Sequence, residues 1–266
     1  MPVHVVQEHP GVAEVVIDHP PVNALDVAGW FALADALIAA GRVAENRVVI
    51  LRAEGRGFCA GEDMKESLAN NAPGGQRPAI EDPFMSGALE KPVIAAVNGY
   101  AMGGGFMLVE RTDLRVAARE AIFEVSEAKR WLLGGYNHGH VANLPYPIAM
   151  EMALGFRFTA QRFYEVGFLN RVVEADDLMP TAMTMAEHLL TLPPASRVNT
   201  VHMMRQMRPV PSAEQQHLAA ALHEHGAKSD LMESRAAFAE KRRPNFKGWD
   251  DPQDRYRLPA LDLVKG

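Results

Sequence analysis

The sequence predicts an α/β fold: a buried, largely parallel sheet followed by a helical tail. Three observations carry that expectation. Short apolar runs such as "RVVILRA" (47–53) and "KPVIAAVNG" (91–99) alternate with stretches of helical spacing, the pattern of buried parallel strands with covering helices. Two of these strands lead through glycine-bearing turns, "FCAGEDMKE" and "GYAMGGGFMLVE", directly into helix-compatible sequence. From about residue 175 onward the pattern is helical throughout.

The elements follow in order. Residues 3–7 and 12–18 read as two strands around the His9-Pro10-Gly11 turn, most simply a hairpin. A helix over 27–41 follows, with Asp26 as its N-cap. "DLRVAA" and "AIFEVSE" continue the strand pattern, whereas "NNAPGGQRPAIEDP" (70–83) reads as a mobile loop. Helices are expected at 176–190, 195–207, 213–225 and 230–241, punctuated by Pro193-Pro194 and by Pro209 and Pro211. A boundary near residue 195 would separate an α/β core (1–195) from a helical region (196–266).

Composition narrows the function classes. The chain has 266 residues, 48% hydrophobic and 23% charged, enough for one large domain with a substantial core. Its net charge is −6 and it holds no long basic run, which argues against nucleic acid as partner. The one basic cluster, "EKRRPNFKG" (240–248), suits a small polyphosphate or a solvated helix end equally well. A single cysteine, Cys59, excludes an internal disulfide and fits a reducing compartment. Neither a signal peptide nor a membrane-length apolar stretch is read, so the expected location is the cytoplasm.

Chemistry is concentrated in few residues. A helix start presents backbone N–H groups without internal partners, and glycine lets another group approach them. Two such turns from neighbouring strands could aim two N–H donors at one oxygen, although either turn alone is better explained by tight helix–strand packing. If "AIFEVSE" is one strand, Glu127 shares a face with Phe123 and Val125, where desolvation fits a carboxyl for proton transfer; a buried structural carboxylate is the plain alternative. Glu124 then lies on the opposite face, solvated or ion-paired. In "GGYNHGH" (134–140) the His-x-His spacing has no further ligand at a recognisable interval, so no metal site is expected. Cys59 reads as a small buried hydrophobe.

These motifs in this order resemble the enoyl-CoA hydratase/isomerase, or crotonase, superfamily. The matching pieces are "HPPVNALD", "GRGFCAGEDMKE", "KPVIAAVNGYAMGGG", "DLRVAAREAIFEVSE", "TAQRFYEVGFLNRVV" and "EKRRPNFKGW". The resemblance implies a spiral of stacked ββα units with a C-terminal helical trimerisation region, assembled as a homotrimer or a dimer of trimers. It implies an acyl-CoA substrate, with coenzyme A as part of the substrate and no separate cofactor. The thioester oxygen would sit between the N–H groups of Glu62 and Gly104, a kind of donor whose removal typically costs about 3 kcal/mol of transition-state stabilisation. Coenzyme A and the acyl group would be held by Ala24, Ala60, Glu62, Asp63, Met64, Lys65, Phe246 and Lys247, and around Gly104, Met107, Trp131, Gly135, Tyr136 and His138.

The departures from the family pattern are as informative. Hydratases of the family use two glutamates, one matching Glu127 and one on the helix after the glycines. Here the second position is Met107, a thioether that accepts no proton at neutral pH, and Glu110 one helical turn on is no obvious replacement. Trp131 replaces a usual glycine where the next helix opens, and His138 and His140 add polar groups, implying a reshaped acyl pocket. The expected chemistry is enolate stabilisation with Glu127 as sole acid/base, in double-bond isomerisation or an atypical hydration or dehydration. Two alternatives remain open: hydrolysis of a carbon–carbon bond in a cyclic acyl-CoA, with Tyr136 or His138 assisting, and acyl-CoA binding without catalysis.

Overall fold

The structure is a computed structural model and describes residues 2–63, 82–130, 133 and 135–261. It divides into two compact units. The first comprises Met1–Glu66, Arg77–Glu124 and Arg157–Arg208; the second comprises Ser67–Gln76, Val125–Phe156 and Pro209–Gly266. This division differs from the one expected at residue 195: the first unit extends to Arg208, and Val125–Phe156 belongs to the second.

The first unit is built on a six-stranded sheet. Strands β1 (Val3–His9) and β2 (Val12–Ile17) form the expected antiparallel hairpin. From β2 the sheet runs in parallel through β4 (Val48–Ala53), β7 (Val93–Val97), β9 (Leu114–Ala118) and β12 (Arg171–Val173). Continuous apolar runs suit strands buried on both faces, and Val48, Val49, Ile50 and Leu51 are all fully buried. Helix α1 (Val27–Arg42) starts where expected, with the Asp26 carboxylate accepting from the Gly29 N–H at 2.7 Å. It buries Trp30, Leu33 and Leu37. A later helix (Leu178–Leu190) places Leu178, Ala182 and Ala186 against Val12, Val48, Ile50, Ile94, Ala96, Val116 and Ala118.

A second, four-stranded sheet carries the glycine turns. Its order is β11 (Arg157–Thr159), β10 (Ile122–Glu124), β8 (Tyr100–Met102) and β5 (Gly57–Cys59). A two-stranded parallel ladder joins β3 (Ala24–Leu25) to β6 (Gly61–Glu62). Behind β10 and the helix Gly104–Arg111 lies a nest of five phenylalanines. Phe106 stacks on Phe168 at 5.3 Å and Phe163 on Phe158 at 4.5 Å, with Phe123 edge-on to Phe106 at 6.4 Å. Such pairs add to area burial by about 1 kcal/mol each. They fix the helix that opens at Gly104.

Within the first unit, the helix Pro194–Gln206 carries two buried arginines, Arg197 and Arg205. Arg205 grips both oxygens of Asp113 (Nε to Oδ1, 2.8 Å; Nη2 to Oδ2, 2.5 Å) and donates to the carbonyls of Leu89 and Lys91. Asp113 also accepts from the Val93 N–H at 2.8 Å, so the helix is tied to the start of β7. Arg205→Met takes the closest guanidinium from Asp113, which keeps the Val93 N–H and Arg208, and removes a donor from the carbonyls of Leu89 and Lys91. A loss of about 3–5 kcal/mol is expected, read as a lowered midpoint in chemical denaturation.

In the second unit, the helix Gly135–Val141 packs on the helix Tyr146–Ala153 through glycine. A Cβ at Gly139 would stand 2.5 Å from the Ala149 Cβ, and one at Gly135 would stand 3.0 Å from the Ala153 carbonyl oxygen. The helices at Ala213–His223 and Ser229–Ala239 agree with the expected tail; the first carries a capping box between Ser212 and Gln215.

Candidate active site

The first part of the candidate site is main chain. Gly61 has φ +89°, and a Cβ there would lie 2.8 Å from the Met102 carbonyl oxygen and 3.2 Å from the Gly104 nitrogen. The two glycine turns therefore touch backbone to backbone. Each glycine of 103–105 has its own physical setting. Gly103, at φ 51° and ψ −117°, occupies a conformation closed to residues with a Cβ. Gly104 is the first residue of the helix Gly104–Arg111, so its N–H is one of the donors that helix geometry leaves over. A Cβ on Gly105 would stand 2.1 Å from the Cys59 carbonyl oxygen. Packing and donor presentation thus coexist at one contact.

The Glu62 N–H is oriented by its strand. The ladder pairs Ala24 with Gly61 and Leu25 with Glu62, and the Asp63 N–H donates to the Leu25 carbonyl at 3.0 Å. Successive N–H groups of a strand point to opposite edges, so that of Glu62 projects away from β3. Ala60 donates to the Val22 carbonyl at 3.1 Å, holding the same segment from its other end. Cys59 is buried, and its sulfur accepts from the Gly61 N–H at 3.4 Å, as a small core residue would.

One residue of this scaffold went unread in the sequence. Asn23 is 2% exposed with φ +56°. Its Oδ1 accepts from the His19 N–H (2.7 Å), while Nδ2 donates to the carbonyls of Glu54 (2.9 Å) and Gly57 (2.8 Å). It thereby staples the segment leading into β3 to the end of β4 and the start of β5. The only sequence signal was an Asn two residues beyond Pro-Pro, a turn residue that tolerates left-handed backbone.

Glu127 does not occupy a strand. β10 ends at Glu124, the last residue paired with both Met102 and Arg157, so alternation along "AIFEVSE" fails to place it. The expectation that strand geometry sets Glu127 beside Phe123 and Val125 is overturned. Glu127 instead stands just before a single 3-10 turn, Ala128–Arg130, and its carbonyl accepts from the Arg130 N–H at 2.8 Å. Its side chain is 17% exposed, with Oε1 3.4 Å from Nε2 of His138. Oε2 is buried and has no hydrogen-bond partner among the described residues. Glu124 is ion-paired with Arg157 at 2.6 Å.

The remaining candidates divide. Met107 is half-buried on the helix Gly104–Arg111, and Glu110 is 1% exposed with Arg111 Nε 4.0 Å from its Oε1. In the second unit, His138 is 8% exposed, whereas Tyr136 and His140 are exposed. Phe246 is exposed, and the Lys247 N–H donates to Asp230 Oδ1 at 2.7 Å. The basic cluster is partly neutralised: Lys247 Nζ pairs with Asp250 at 2.7 Å, and Arg242 pairs with Glu233 and Glu240 at 2.5 Å. Arg242 and the Asn245 N–H together hold the Glu233 carboxyl at about 2. Met64, Lys65, Trp131 and residues 70–81 of the expected loop lie outside the described residues. No group of three or more His, Cys, Asp or Glu able to hold a metal occurs among the described residues, nor does a helix long and apolar enough to cross a membrane.

Paired strand–glycine–helix turns on a parallel α/β frame mark this chain as a member of the enoyl-CoA hydratase/isomerase family, with the crotonase fold; the family's sequence profile matches residues 7–250. A (7aS)-7a-methyl-1,5-dioxo-2,3,5,6,7,7a-hexahydro-1H-indene-carboxyl-CoA hydrolase of Rhodococcus jostii (strain RHA1) is 39% identical over 66% of this chain and 70% of its own length. A carnitinyl-CoA dehydratase of Salmonella enteritidis PT4 is 33% identical over 89% of this chain and 95% of its own. Among solved structures, a carnitinyl-CoA hydratase from Mycobacterium avium superposes with a TM-score of 0.76 at 31% identity, covering 92% of this chain and 98% of the other.

Asn23→Ala removes three side-chain hydrogen bonds and leaves a left-handed backbone without glycine. It should destabilise the chain by about 3 kcal/mol, and Asn23→Gly by about 1 kcal/mol less. Thermal unfolding of the two variants side by side reads the difference.

Proposed function

We propose that this acyl-CoA enzyme works by forming a thioester enolate whose oxygen is held by the N–H groups of Glu62 and Gly104, with Glu127 as acid/base. The observation that carries the reading is the backbone contact between the glycine turns, which leaves a helix-start donor and a strand-edge donor at neighbouring residues. Preorganised amides of this kind stabilise developing negative charge without reorganising. Ala24, Ala60, Asp63, Phe246 and Lys247 complete the proposed coenzyme A contacts, and Gly135, Tyr136 and His138 the acyl side.

The reaction is hydration or dehydration, or double-bond isomerisation, carried by one carboxylate. Met107 supports this reading, because its thioether provides no second proton acceptor. Taking a proton from the α carbon breaks the C–H bond, sends its electron pair to the thioester oxygen and protonates Glu127. Returning that proton to the γ carbon isomerises the double bond; giving it to a β hydroxyl, whose C–O bond breaks as the enolate electron pair forms the α,β double bond, releases water. Names among the relatives agree with dehydration as a family outcome.

A second reading is hydrolysis of a carbon–carbon bond in a cyclic acyl-CoA. The nearness of His138 to Glu127 favours it, since a carboxylate beside an imidazole is suited to drawing a proton from water. The Rhodococcus relative is named as a hydrolase of a cyclic acyl-CoA. We further propose a homotrimer or dimer of trimers: Met203, Met204 and Met207, between 58% and 65% exposed, offer apolar surface at the end of their helix. Light scattering should give the mass of three or six chains, and a monomer would overturn the assembly.

Glu127→Gln should slow hydrogen–deuterium exchange at the α carbon of butyryl-CoA by about 100-fold or more. Exchange at the wild-type rate would remove Glu127 from the mechanism. Variants at His138 or Tyr136 that lose ring-opening hydrolysis while keeping α exchange would select the second reading.

A further inference from the structure

The two oxygens of Glu127 are inequivalent. Oε1 lies 3.4 Å from His138 Nε2, and Oε2 is buried without a hydrogen-bond partner among the described residues. Buried polar atoms are nearly always paired, and a carboxylate oxygen left over marks a place where a proton or a donor arrives with a ligand. The histidine is presented by a rigid element. Gly135 and Gly139 bring its helix into backbone contact with Tyr146–Ala153, and neither glycine has room for a Cβ without a close contact. His138 itself is 8% exposed, so its ring has little freedom to turn into solvent.

We propose that His138 is the positioning residue of Glu127. Its Nε2–H engages Oε1, fixes the plane of the carboxylate and leaves Oε2 as the atom that takes and returns the substrate proton. The inference rests on the reading of Glu127 as acid/base and adds which oxygen acts and what orients it. The observed 3.4 Å is long for a hydrogen bond, and catalytic contacts of this kind characteristically tighten when substrate binds. Donation from Nε2 requires the proton on that nitrogen, so the tautomer is part of the proposal. In the proton transfer, the α C–H bond breaks, its electron pair moves to the thioester oxygen and the proton bonds to Oε2; the return step reverses this. Oε1 and the imidazole keep their contact throughout.

The test uses the full chain, with butyryl-CoA as probe. His138→Leu removes the donor, and His138→Gln keeps an N–H at a similar reach. Exchange at the α carbon should fall about tenfold to a hundredfold in His138→Leu and recover most of that loss in His138→Gln, with the dissociation constant of the probe changed less than about threefold. Full exchange in His138→Leu, or equal loss in both variants, overturns the proposal. Long-range 15N–1H spectra of the wild-type imidazole give a readout that needs no folded Leu variant: the Nε2–H form is expected, and an unprotonated Nε2 overturns it. Glu127→Gln separates the two levels. If it loses exchange while His138→Leu keeps it, only the role of His138 falls; if it keeps exchange, the assignment of Glu127 falls as well.

Discussion

The contact of Gly61 with the Met102 carbonyl and the Gly104 nitrogen, and of Gly105 with the Cys59 carbonyl, is the constraint on which the candidate site depends. It is a packing of main chain on main chain, with hydrogen where any other residue carries a Cβ. Its consequence is chemical. Two turns pressed this closely bring together a strand-edge N–H and a helix-start N–H, groups whose direction is set by the peptide plane and not by a rotamer. The side chain at position 62 has no part in that geometry, which is why a glutamate can stand there.

Much of the first unit serves to hold this contact. The phenylalanine nest anchors the helix Gly104–Arg111 from behind, and the buried sheet carries β7 and the turn that follows it. Asn23 fixes the other turn by donating to the carbonyls of Glu54 and Gly57. Buried carbonyls in a turn need donors, and a side-chain amide in left-handed backbone supplies two from one position. The loop "HPPVNALD" is therefore as much a part of the candidate active site as the glycines, through the hydrogen bonds of Asn23.

The second unit uses the same device for a different end. Gly135 and Gly139 let two helices meet at backbone distance, and the product is a fixed imidazole beside a carboxylate. Position 107 holds a thioether, which accepts no proton, and in the proposed mechanism Glu127 and His138 combine an acceptor with a donor. The difference bears on which proton is moved: two carboxylates suit a shared water, and a carboxylate oriented by an imidazole suits one-sided transfer at carbon or at water.

Local features of the sequence determined most of the frame. Apolar runs gave the buried strands, Asp26 gave the start of α1, and the helices of the tail fall close to their expected limits. The paired glycine turns identified the family and pointed to the amides of Glu62 and Gly104. Tertiary structure decided the rest. β10 stops at Glu124 because its ladder partners stop there, so alternation could not place Glu127. The meeting of Glu127 with His138 and the bonds of Asn23 to Glu54 and Gly57 likewise join residues remote in sequence. Periodicity reports which face of one element is apolar; it carries no information on how closely two backbones approach, and that distance sets which side chains meet.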